Sequence, residues 1–419
     1  MKSSVSVLSL ARDRRAAAIV AVTTLALSIV VGTPAHGAAA WYASPTGAGS
    51  TCSQTAPCDL QTAINFAANG DDVYAIADQG DYSLSQGVST ISNTAIHLHS
   101  LNGRARLNFQ SGGLKMSSGS VEDFYVQGFG TVLSLGSGAV GDRMFAEQAG
   151  NGHACFMQGA TLTNSVCWAG TSGDLAMETD GSNTLRNVSL MAGTEAAILT
   201  YGRNGCSCTS ATDTLVNVIA RSSQSGVDLL VDSDASVDAS ISASYSNFET
   251  TQTRGSGSPS KTHITTDATD QTTAPLFVDA AAGDFHEASG SPTIDAGVTD
   301  SANGSMDLDG NPRVVNGVTD IGAYEAPLTD PVPDTTITKT TIKRTKHRAG
   351  FTFEAVGTAS GFECALKKIK NGTVGTLTFS ACTSPKTYRK LKVGRYIFEV
   401  RAFSSGGTDP TPATKRFKI

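Results

Sequence analysis

The chain has 419 residues and an unusual composition, with 43 glycines and only 16% charged residues, against about 25% in ordinary soluble domains. Such a composition excludes long solvated helices and coiled coils, which need many Glu, Lys, Arg, Ala and Leu residues. The hydrophobic content of 40% supplies enough apolar surface for a packed core, so extensive disorder is excluded as well. The sequence therefore favours many short strands joined by tight turns.

The net charge of −6 conceals two regions of opposite sign. Residues 41–334 carry ten basic and 32 acidic side chains, a net charge of −22. Residues 335–419 carry 17 basic and four acidic side chains, a net charge of +13. This asymmetry predicts an acidic body and a separate basic region at the C-terminus.

Residues 1–40 have the pattern of a secretory signal peptide. Four basic side chains stand within the first 15 residues, an uncharged apolar run covers residues 16–32, and small residues follow. We expect cleavage after Ala40, with Gly37 and Ala38 as alternative sites. The apolar run is shorter than the ~20 residues of a membrane-spanning helix, so an uncleaved anchor is the less favoured alternative. The mature chain is expected to be secreted, extracellular or cell-wall associated, without stable membrane insertion.

Eight cysteines fit an exported protein, because disulfides persist outside the cell. They fall into close sequence pairs: Cys52 with Cys58, Cys155 with Cys167, Cys206 with Cys208, and Cys364 with Cys382. Disulfides between these neighbours are the hypothesis, out of roughly a hundred possible connectivities. Metal binding by reduced thiolates is the alternative, and export disfavours it. A bridge between Cys206 and Cys208 would close a small, strained ring.

The elements that follow the signal region are a short helix and a strand. Apolar residues spaced three and four apart over residues 59–68 predict the helix, with Asp59 as its N-cap and Gly70 as its C-terminal stop. Residues 72–77 then have the pattern of a strand. We expect this pair to begin the folded part of the chain.

From residue 121 onwards the sequence repeats every 19 to 30 residues. Each repeat begins with a short strand-like segment, and the six starts are Val121, Val140, Leu162, Leu185, Leu215 and Ile241. Such a period is the signature of a solenoid. Leucine-rich repeats are excluded, because the segments lack a dense Leu ladder and helical stretches. Short strands, small residues and tight turns favour a parallel β-helix, whose coils stack ~4.8 Å apart.

One column of the aligned repeats is rich in Asn and Asp. The third position reads Asp123, Asp142, Asn164, Asn187, Asn217 and Ala243. Stacked asparagine side chains hydrogen-bond from one strand to the next, so we interpret the column as a structural ladder. Asn187 also begins a formal glycosylation sequon, Asn-Val-Ser, but its place in the column favours the structural interpretation.

These motifs resemble those of secreted bacterial right-handed parallel β-helix repeat proteins of the pectin-lyase-like superfamily. The segment Trp-Tyr-Ala-Ser-Pro-Thr-Gly at residues 41–47, the short helix and the strand at residues 70–74 are similar to the N-terminal cap of that family. Residues 275–297 and 307–325 resemble endings of the choice-of-anchor Q type. The resemblance spans residues 41–326 and implies a fold rather than one activity, because the family includes lyases, hydrolases and non-catalytic surface proteins.

Residues 327–334 form a Pro-rich linker, after which alternating strand patterns begin. Leu391, Gly394 and Tyr396 have the spacing of the tyrosine corner of immunoglobulin-like sandwiches. Residues 335–419 therefore resemble a bacterial Ig-like domain, although they lack the Trp of the antibody pattern. The predicted architecture is all-β: a right-handed parallel β-helix solenoid followed by a small Ig-like β-sandwich.

Catalysis on this fold requires particular carboxylates and bases. A lyase uses carboxylates to hold Ca²⁺ against an acidic sugar and a basic residue to remove a proton, whereas a hydrolase places two carboxylates across the glycosidic bond. The catalytic candidates are Arg221, Asp228, Asp232 and Asp234. A second group of acids lies around Glu178 and Asp180. The sequence motifs of lyases, polygalacturonases and pectin esterases are absent, so solvated outer faces are the favoured interpretation of these acids.

The insertion at residues 201–213 lengthens one repeat and carries Arg203. It either contacts a ligand or is a tolerated surface loop. His97 and His99 share one strand face, and His153 stands beside a cysteine. Outward polar side chains are favoured over a metal site for these histidines.

A segment near the end of the acidic body resembles the start of a Ca²⁺ loop. Asp307, Asp309 and Asn311 place oxygen ligands at alternate positions, but Gly310 stands fourth where the full pattern wants glycine sixth. An Asx turn is the alternative. Ca²⁺ is the only cofactor that the sequence suggests.

The leading functional hypothesis is a secreted or cell-surface, non-catalytic module that engages carbohydrate, with a polysaccharide or cell-wall polymer as its partner. The alternatives are a polysaccharide lyase or glycoside hydrolase acting on acidic polysaccharide, and a structural surface spacer. The basic C-terminal region either binds anionic polymers by charge attraction or presents a solvated basic surface. Nucleic acid is not expected as a partner, because an exported sandwich with few exposed aromatic residues suits it poorly.

Overall fold

The structure is a computed structural model. It describes residues 38–90, 94–170, 175–203, 210–223, 226–234, 237–255, 261–315, 317–327, 332–369, 373–404 and 407–419. The signal-peptide prediction lies outside these residues except for its last three positions, and the predicted pair of Cys206 and Cys208 lies wholly outside them. Within the described ranges, no helix is both long and apolar enough to cross a membrane.

The short helix and the strand after it lie where the sequence predicts them. The helix Leu60–Phe66 begins at the N-cap Asp59, whose Oδ1 accepts a hydrogen bond from the N–H of Thr62 at 3.0 Å. Its inward side chains are buried in the main core. The strand Asp72–Ile76 follows and pairs in parallel with the strand before the helix.

The body of the protein is a parallel β-helix, because each strand pairs in parallel with the equivalent strand of the next coil. The first sheet contains Ala40–Ala43, Asp72–Ile76, Ile96–Leu101, Gly119–Glu122, Val140–Asp142, Thr161–Trp168, Ser182–Ala192, Ser210–Ser222, Asp238–Ser244 and Thr262–Thr265. The second sheet contains Tyr82–Leu84, Ala105–Phe109, Phe124–Gly128, Phe145–Gln148 and the second halves of Thr161–Trp168, Ser182–Ala192 and Ser210–Ser222. The third sheet contains Val88–Ser89, Leu114–Met116, Leu133–Leu135, His153–Gln158, Leu175–Asp180, Ala196–Gly202, Val227–Ser233 and Thr251–Thr253. The predicted all-β class and parallel β-helix are confirmed.

A residue in the left-handed conformation bends the coils between the first and second sheets. Its φ lies between 48° and 66° at Asp123, Arg143, Asn164, Asn187, Asn217 and Tyr245. Asn and Asp adopt this conformation more readily than other non-glycine residues, which accounts for their enrichment in the column. The predicted members Asp142 and Ala243 are wrong by one and two residues, because the strand register aligns Gly141 and Ala243 with the other repeat starts.

The asparagines at the centre of this corner form the predicted ladder. Nδ2 of Asn187 donates to Oδ1 of Asn164 at 3.0 Å, and Nδ2 of Asn217 donates to Oδ1 of Asn187 at 2.9 Å. Nδ2 of Asn164 continues the chain to Oδ1 of Asp142 at 2.9 Å. Asn187 is fully buried, so the fold encloses the sequon and the structural interpretation is confirmed.

Residues 276–326 pack along the second sheet and its corner. They include the antiparallel strands Phe277–Asp279 and Asp284–Glu287 and the 3₁₀ turns Ala280–Ala282 and Ser301–Asn303. The Phe285 ring meets the edge of Trp168 at a centroid distance of 5.6 Å, and the N–H of Ala323 donates to Oγ of Ser189 at 3.1 Å. The outer face of the second sheet is therefore covered along these coils.

The interior of the β-helix is filled by aliphatic side chains stacked in register. Fully buried examples from the first sheet are Leu98, Val121, Leu162, Leu185 and Leu215. Removing apolar surface from water contributes ~25 cal/mol per Å², so each such residue stabilises the stack of coils. The inward side of these strands is therefore apolar, and the polar side chains lie at outward positions and at the corners.

Residues 334–419 form two antiparallel sheets around a separate apolar core, which contains Phe351, Phe353 and Phe398. One sheet contains Asp334–Lys343, Arg348–Val356 and Lys386–Tyr388, with the 3₁₀ turn Arg344–Lys346 between the first two strands. The other contains Gly361–Lys368, Ser380–Cys382, Arg395–Ser404, Gly407–Thr408 and Ala413–Lys418. The Tyr396 hydroxyl donates to the carbonyl of Lys392 at 2.8 Å, as the tyrosine-corner spacing predicts. The assignment as an Ig-like domain stays a prediction.

Three of the predicted disulfide bonds are present. They join Cys52 to Cys58, Cys155 to Cys167, and Cys364 to Cys382. For these six cysteines the metal-binding alternative is wrong, because their sulfur atoms are bonded to each other. Disulfides of this kind are typical of proteins that work in an oxidising compartment.

Candidate functional site

An open cleft of about 540 Å³ lies on the outer face of the third sheet. Its polar and aromatic lining residues are Lys115, Thr131, Ser134, His153, Phe156, Glu178 and Arg203. Four of them form one outward column, because the register pairs Lys115 with Ser134, Ser134 with Phe156, and Phe156 with Glu178. The column crosses four successive coils, a length of roughly 14 Å at strand spacing. We call this feature the third-sheet cleft.

Glu178 is the last residue of the column in the third-sheet cleft, and its side chain is only 8% exposed. Its Oε2 lies 3.0 Å from Nε2 of His153, and its Oε1 forms an ion pair with Nη2 of Arg203. A buried carboxylate is tolerated where cations and hydrogen bonds engage its oxygens. Glu178 therefore fixes the positions of the two basic side chains around it.

Arg203 folds back over the sheet from the start of the insertion that the sequence shows at residues 201–213. Its Nε lies 3.6 Å from Oδ1 of Asp180, and its guanidinium carbon lies 4.8 Å from the centre of the Tyr201 ring. The side chain remains 41% exposed. A guanidinium group has five N–H donors, so Arg203 is anchored by acids and an aromatic ring while part of it faces the cleft.

Two carboxyl groups behind the cleft have raised pKa values. Burial, together with the nearby charge of Asp213, raises the pKa of Asp180 to about 6. Burial also raises the pKa of Asp213 to about 6, against hydrogen bonds from Thr179, Thr200 and Asn183 that lower it. Desolvation disfavours the charged form of a carboxylate. Perturbed pKa values beside a cleft are typical of functional sites.

Two of the four sequence-predicted catalytic candidates hold backbone together. Nη1 of Arg221 lies 3.8 Å from Oδ2 of Asp228. Asp228 is buried and accepts hydrogen bonds from the N–H groups of Ser222 at 2.8 Å and Glu249 at 2.7 Å. Its carboxylate is therefore occupied by main-chain donors, which gives it a structural use at this position.

The other two candidates, Asp232 and Asp234, lie beside the third-sheet cleft. The register pairs Tyr201 with Asp232, and the Tyr201 hydroxyl donates to Oδ1 of Asp234 at 3.0 Å. Because the Tyr201 ring also carries the guanidinium of Arg203, these aspartates support the wall of the cleft. The structure thus divides the four candidates between two places.

The expectation of solvated acid faces is wrong for Glu178, Asp180 and Asp228, which are all buried. Each is held by a cation or by backbone donors. His153, expected to be an outward polar side chain, contacts Glu178. Sequence analysis missed Lys115 and Phe156, whose only signal is a spacing of one coil from their neighbours in the column.

The residues predicted to start a Ca²⁺ loop form a turn. Oδ1 of Asp307 accepts the N–H of Asn311, four residues further along the chain, at 2.7 Å, so this carboxylate holds the backbone of the turn. Oδ2 of Asp309 lies 2.6 Å from Nε2 of His286, and this hydrogen bond, together with the contact of His286 with Asp284, raises the pKa of His286 to about 9. Across the described ranges, no group of three His, Cys, Asp or Glu side chains is arranged to hold a metal ion. The Ca²⁺ site at Asp307, Asp309 and Asn311 stays a prediction.

No protein-family model matches the chain, and no curated protein matches it either. Among solved structures, the chain is similar to the crystal structure of pectate lyase Pel9A, at 13% sequence identity and a TM-score of 0.38. The match covers 69% of this chain and 96% of that chain. A likeness at this level carries no argument about activity. The strand register itself establishes that this chain contains a parallel β-helix.

Proposed function

We propose that this chain is an exported, non-catalytic β-helix protein that binds a carbohydrate chain in the third-sheet cleft. One observation carries the proposal: Lys115, Phe156 and Arg203 lie along a single open cleft that crosses four coils. Binding sites of this kind combine apolar surface with a few fixed polar groups that set orientation. The cleft is longer than one sugar ring, so the ligand is an oligosaccharide segment.

The chemistry of the cleft suits a hydroxyl-rich and acidic ligand. Arg203 and Lys115 supply charged donors, which make short, strong hydrogen bonds to carboxylates. Phe156 supplies an aromatic ring against which the C–H face of a sugar packs. His153 completes the set of donors and is held in place by Glu178.

The ion pairs of the cleft support binding rather than hydrolysis. A glycosidase needs one carboxylic acid at the leaving oxygen and a second carboxylate across the bond. Both oxygens of Glu178 are engaged by basic side chains, and Asp180 is buried. Carboxylates held in this way act as supports for Arg203 and His153.

Three disulfide bonds and the signal-like segment at residues 1–40 support export and a place outside the cell. We also propose that residues 275–297 and 307–325 form a choice-of-anchor Q ending and that residues 335–419 form an Ig-like domain. Together they describe a surface module with a carbohydrate-binding solenoid and a basic accessory domain.

Calorimetric titration of the chain that starts at Trp41 with acidic and neutral oligosaccharides tests this function. Lys115→Gln and Phe156→Ala should each weaken binding by roughly tenfold, a loss of about 1.4 kcal/mol. Arg106→Gln removes the same charge from the second sheet and should leave affinity within about twofold. All variants should keep the wild-type melting temperature within a few degrees.

The same samples, with and without Ca²⁺, are assayed for unsaturated-uronate absorbance and for new reducing ends. Turnover of a polysaccharide would establish the enzyme alternative instead. Absence of both binding and turnover across the panel would leave the spacer as the function of the β-helix. Binding without turnover that depends on Lys115 and Phe156 is the expected result.

A further inference from the structure

The basic C-terminal region contains three adjoining clefts, with volumes of about 760, 410 and 270 Å³. The largest shares Lys346 with the second cleft and Arg348 with the third, and the second and third share Lys343. We call this series the basic track. Eight of the 17 basic residues between 335 and 419 line it. Among the lining residues that the structure describes, none is acidic.

The largest cleft lies between two turns, which carry Lys346 and Arg348 on one side and Arg389, Lys390 and Lys392 on the other. These turns are joined by reciprocal hydrogen bonds. The N–H of Leu391 donates to the carbonyl of His347 at 3.0 Å, and Nδ1 of His347 donates to the carbonyl of Leu391 at 2.8 Å. The backbone therefore holds like charges side by side before any ligand binds.

The region offers its own cations little neutralisation. Residues 335–419 contain four acidic residues, and in their described part the ion pair within 4 Å is that of Arg401 with Glu363. The side chains of Lys346, Arg389, Lys390 and Lys392 are exposed. Clustered cations of one sign attract anions and concentrate them near the surface. The basic track is thus built as a receptor for negative charge.

We propose that the basic track binds an anionic glycopolymer, a chain with a carboxylate or a phosphodiester on successive repeat units. Three clefts that share cations extend over several such units, which favours a polymer over a small anion. Arg pairs with carboxylate and phosphate groups bidentately, and Lys acts as a point charge. The described aromatic lining residue, Phe351, is buried, so the track has no stacking platform of the kind that holds nucleic-acid bases. This site is independent of the third-sheet cleft.

Binding of the full chain to immobilised polygalacturonate, poly(glycerol phosphate) and neutral dextran tests the proposal. The track variant combines Arg389→Gln, Lys390→Gln and Lys392→Gln. The control variant combines Lys367→Gln, Lys415→Gln and Arg416→Gln, which removes the same charge from residues that line none of the three clefts. Thermal melts of both variants verify that they fold.

The track variant should bind an anionic polymer at least roughly tenfold more weakly than the wild-type chain, because three charge contacts are lost. It should also show a shallower dependence of affinity on salt. The control variant should stay within about twofold. The same difference between the track and control variants should persist in a Lys115→Gln background, where the third-sheet cleft is weakened, which separates the two sites. The polymer that binds identifies the acid group. Equal losses in both triple variants, equal binding to dextran, or no binding by the wild-type chain would overturn the proposal.

Discussion

Replacing Asn187 by alanine tests the corner ladder directly. Nδ2 of Asn187 donates both to Oδ1 of Asn164 and to the carbonyl of Asn303, and its Oδ1 accepts from Asn217. The residue is fully buried and has a φ of 55°. Alanine would remove three hydrogen bonds and would occupy a left-handed conformation that Asn tolerates better.

The magnitude follows from which partners stay satisfied. Nδ2 of Asn217 loses its bond to Asn187 but keeps its bond to the carbonyl of Val298 at 3.0 Å. Two buried acceptors lose the Nδ2 donor of Asn187: Oδ1 of Asn164 and the carbonyl of Asn303. Each buried group without a partner costs about 1–3 kcal/mol, and the left-handed alanine costs about 1 kcal/mol more. We expect a loss of about 3–7 kcal/mol, a large part of the ~5–15 kcal/mol that stabilises a typical domain.

Denaturant unfolding followed by circular dichroism measures this loss. Asn187→Gly removes the same hydrogen bonds without the left-handed strain, so it should be about 1 kcal/mol more stable than Asn187→Ala. A destabilisation below about 0.5 kcal/mol for the alanine variant, or an alanine variant more stable than the glycine variant, would refute the reasoning.

Three further predictions concern other parts of the β-helix. The raised pKa values of Asp180 and Asp213, both about 6, mean that the folded state binds protons more tightly. Stability present below about pH 4 should therefore fall by about 3 kcal/mol for each group as pH rises through 6. Asp213→Asn should flatten this profile in urea titrations. Gly283→Ala would drive a methyl group into the Trp168 ring, whereas Gly290→Ala has a similar positive φ and open space. Tryptophan fluorescence should therefore report unpacking of residues 276–326 in the first variant alone. Replacing Cys155 and Cys167 by serine removes a disulfide bond between residues 12 apart in sequence. Because the unfolded chain is then less restricted, the free energy of unfolding measured by calorimetry should fall by about 3 kcal/mol.

The repeat period and the Asn column predicted the β-helix and its ladder, because both patterns express the stacking of coils. The register failed at Val140 for a steric reason. The inward position there is Gly141, where a Cβ atom would lie 2.9 Å from Leu162 and 3.0 Å from Leu135. The neighbouring side chains fill the space, so the sequence shows no apolar residue to align. The predicted start at Ile241 was wrong for a related reason. Ile241 also points inward, but it lies two residues before Ala243, which is the position equivalent to the other repeat starts.

The third-sheet cleft was far harder to predict than the fold. Its residues come together because turns of different length bring Lys115, Phe156 and Glu178 into one column. No pattern within a single repeat contains that information. Arg203 adds a further difficulty, since it reaches Glu178 by folding back from the next coil. Only the lengths of the intervening turns, fixed in three dimensions, decide these contacts.

The packing of residues 276–326 against the corner also imposes an order of assembly on the chain. Asn187 donates to the carbonyl of Asn303, which lies 116 positions later in the sequence, and Arg104 donates to the carbonyl of Leu308, 204 positions later. Contacts of such long sequence separation form late and slow folding. Because the chain is made from its N-terminus onwards, the early coils can stack first, while the side-chain amides of the corner ladder are still hydrated. Residues 276–326 then cover the corner and the second sheet. A chain that ended before them would leave the corner amides and the outer face of the second sheet exposed, and exposed sheet surface promotes aggregation.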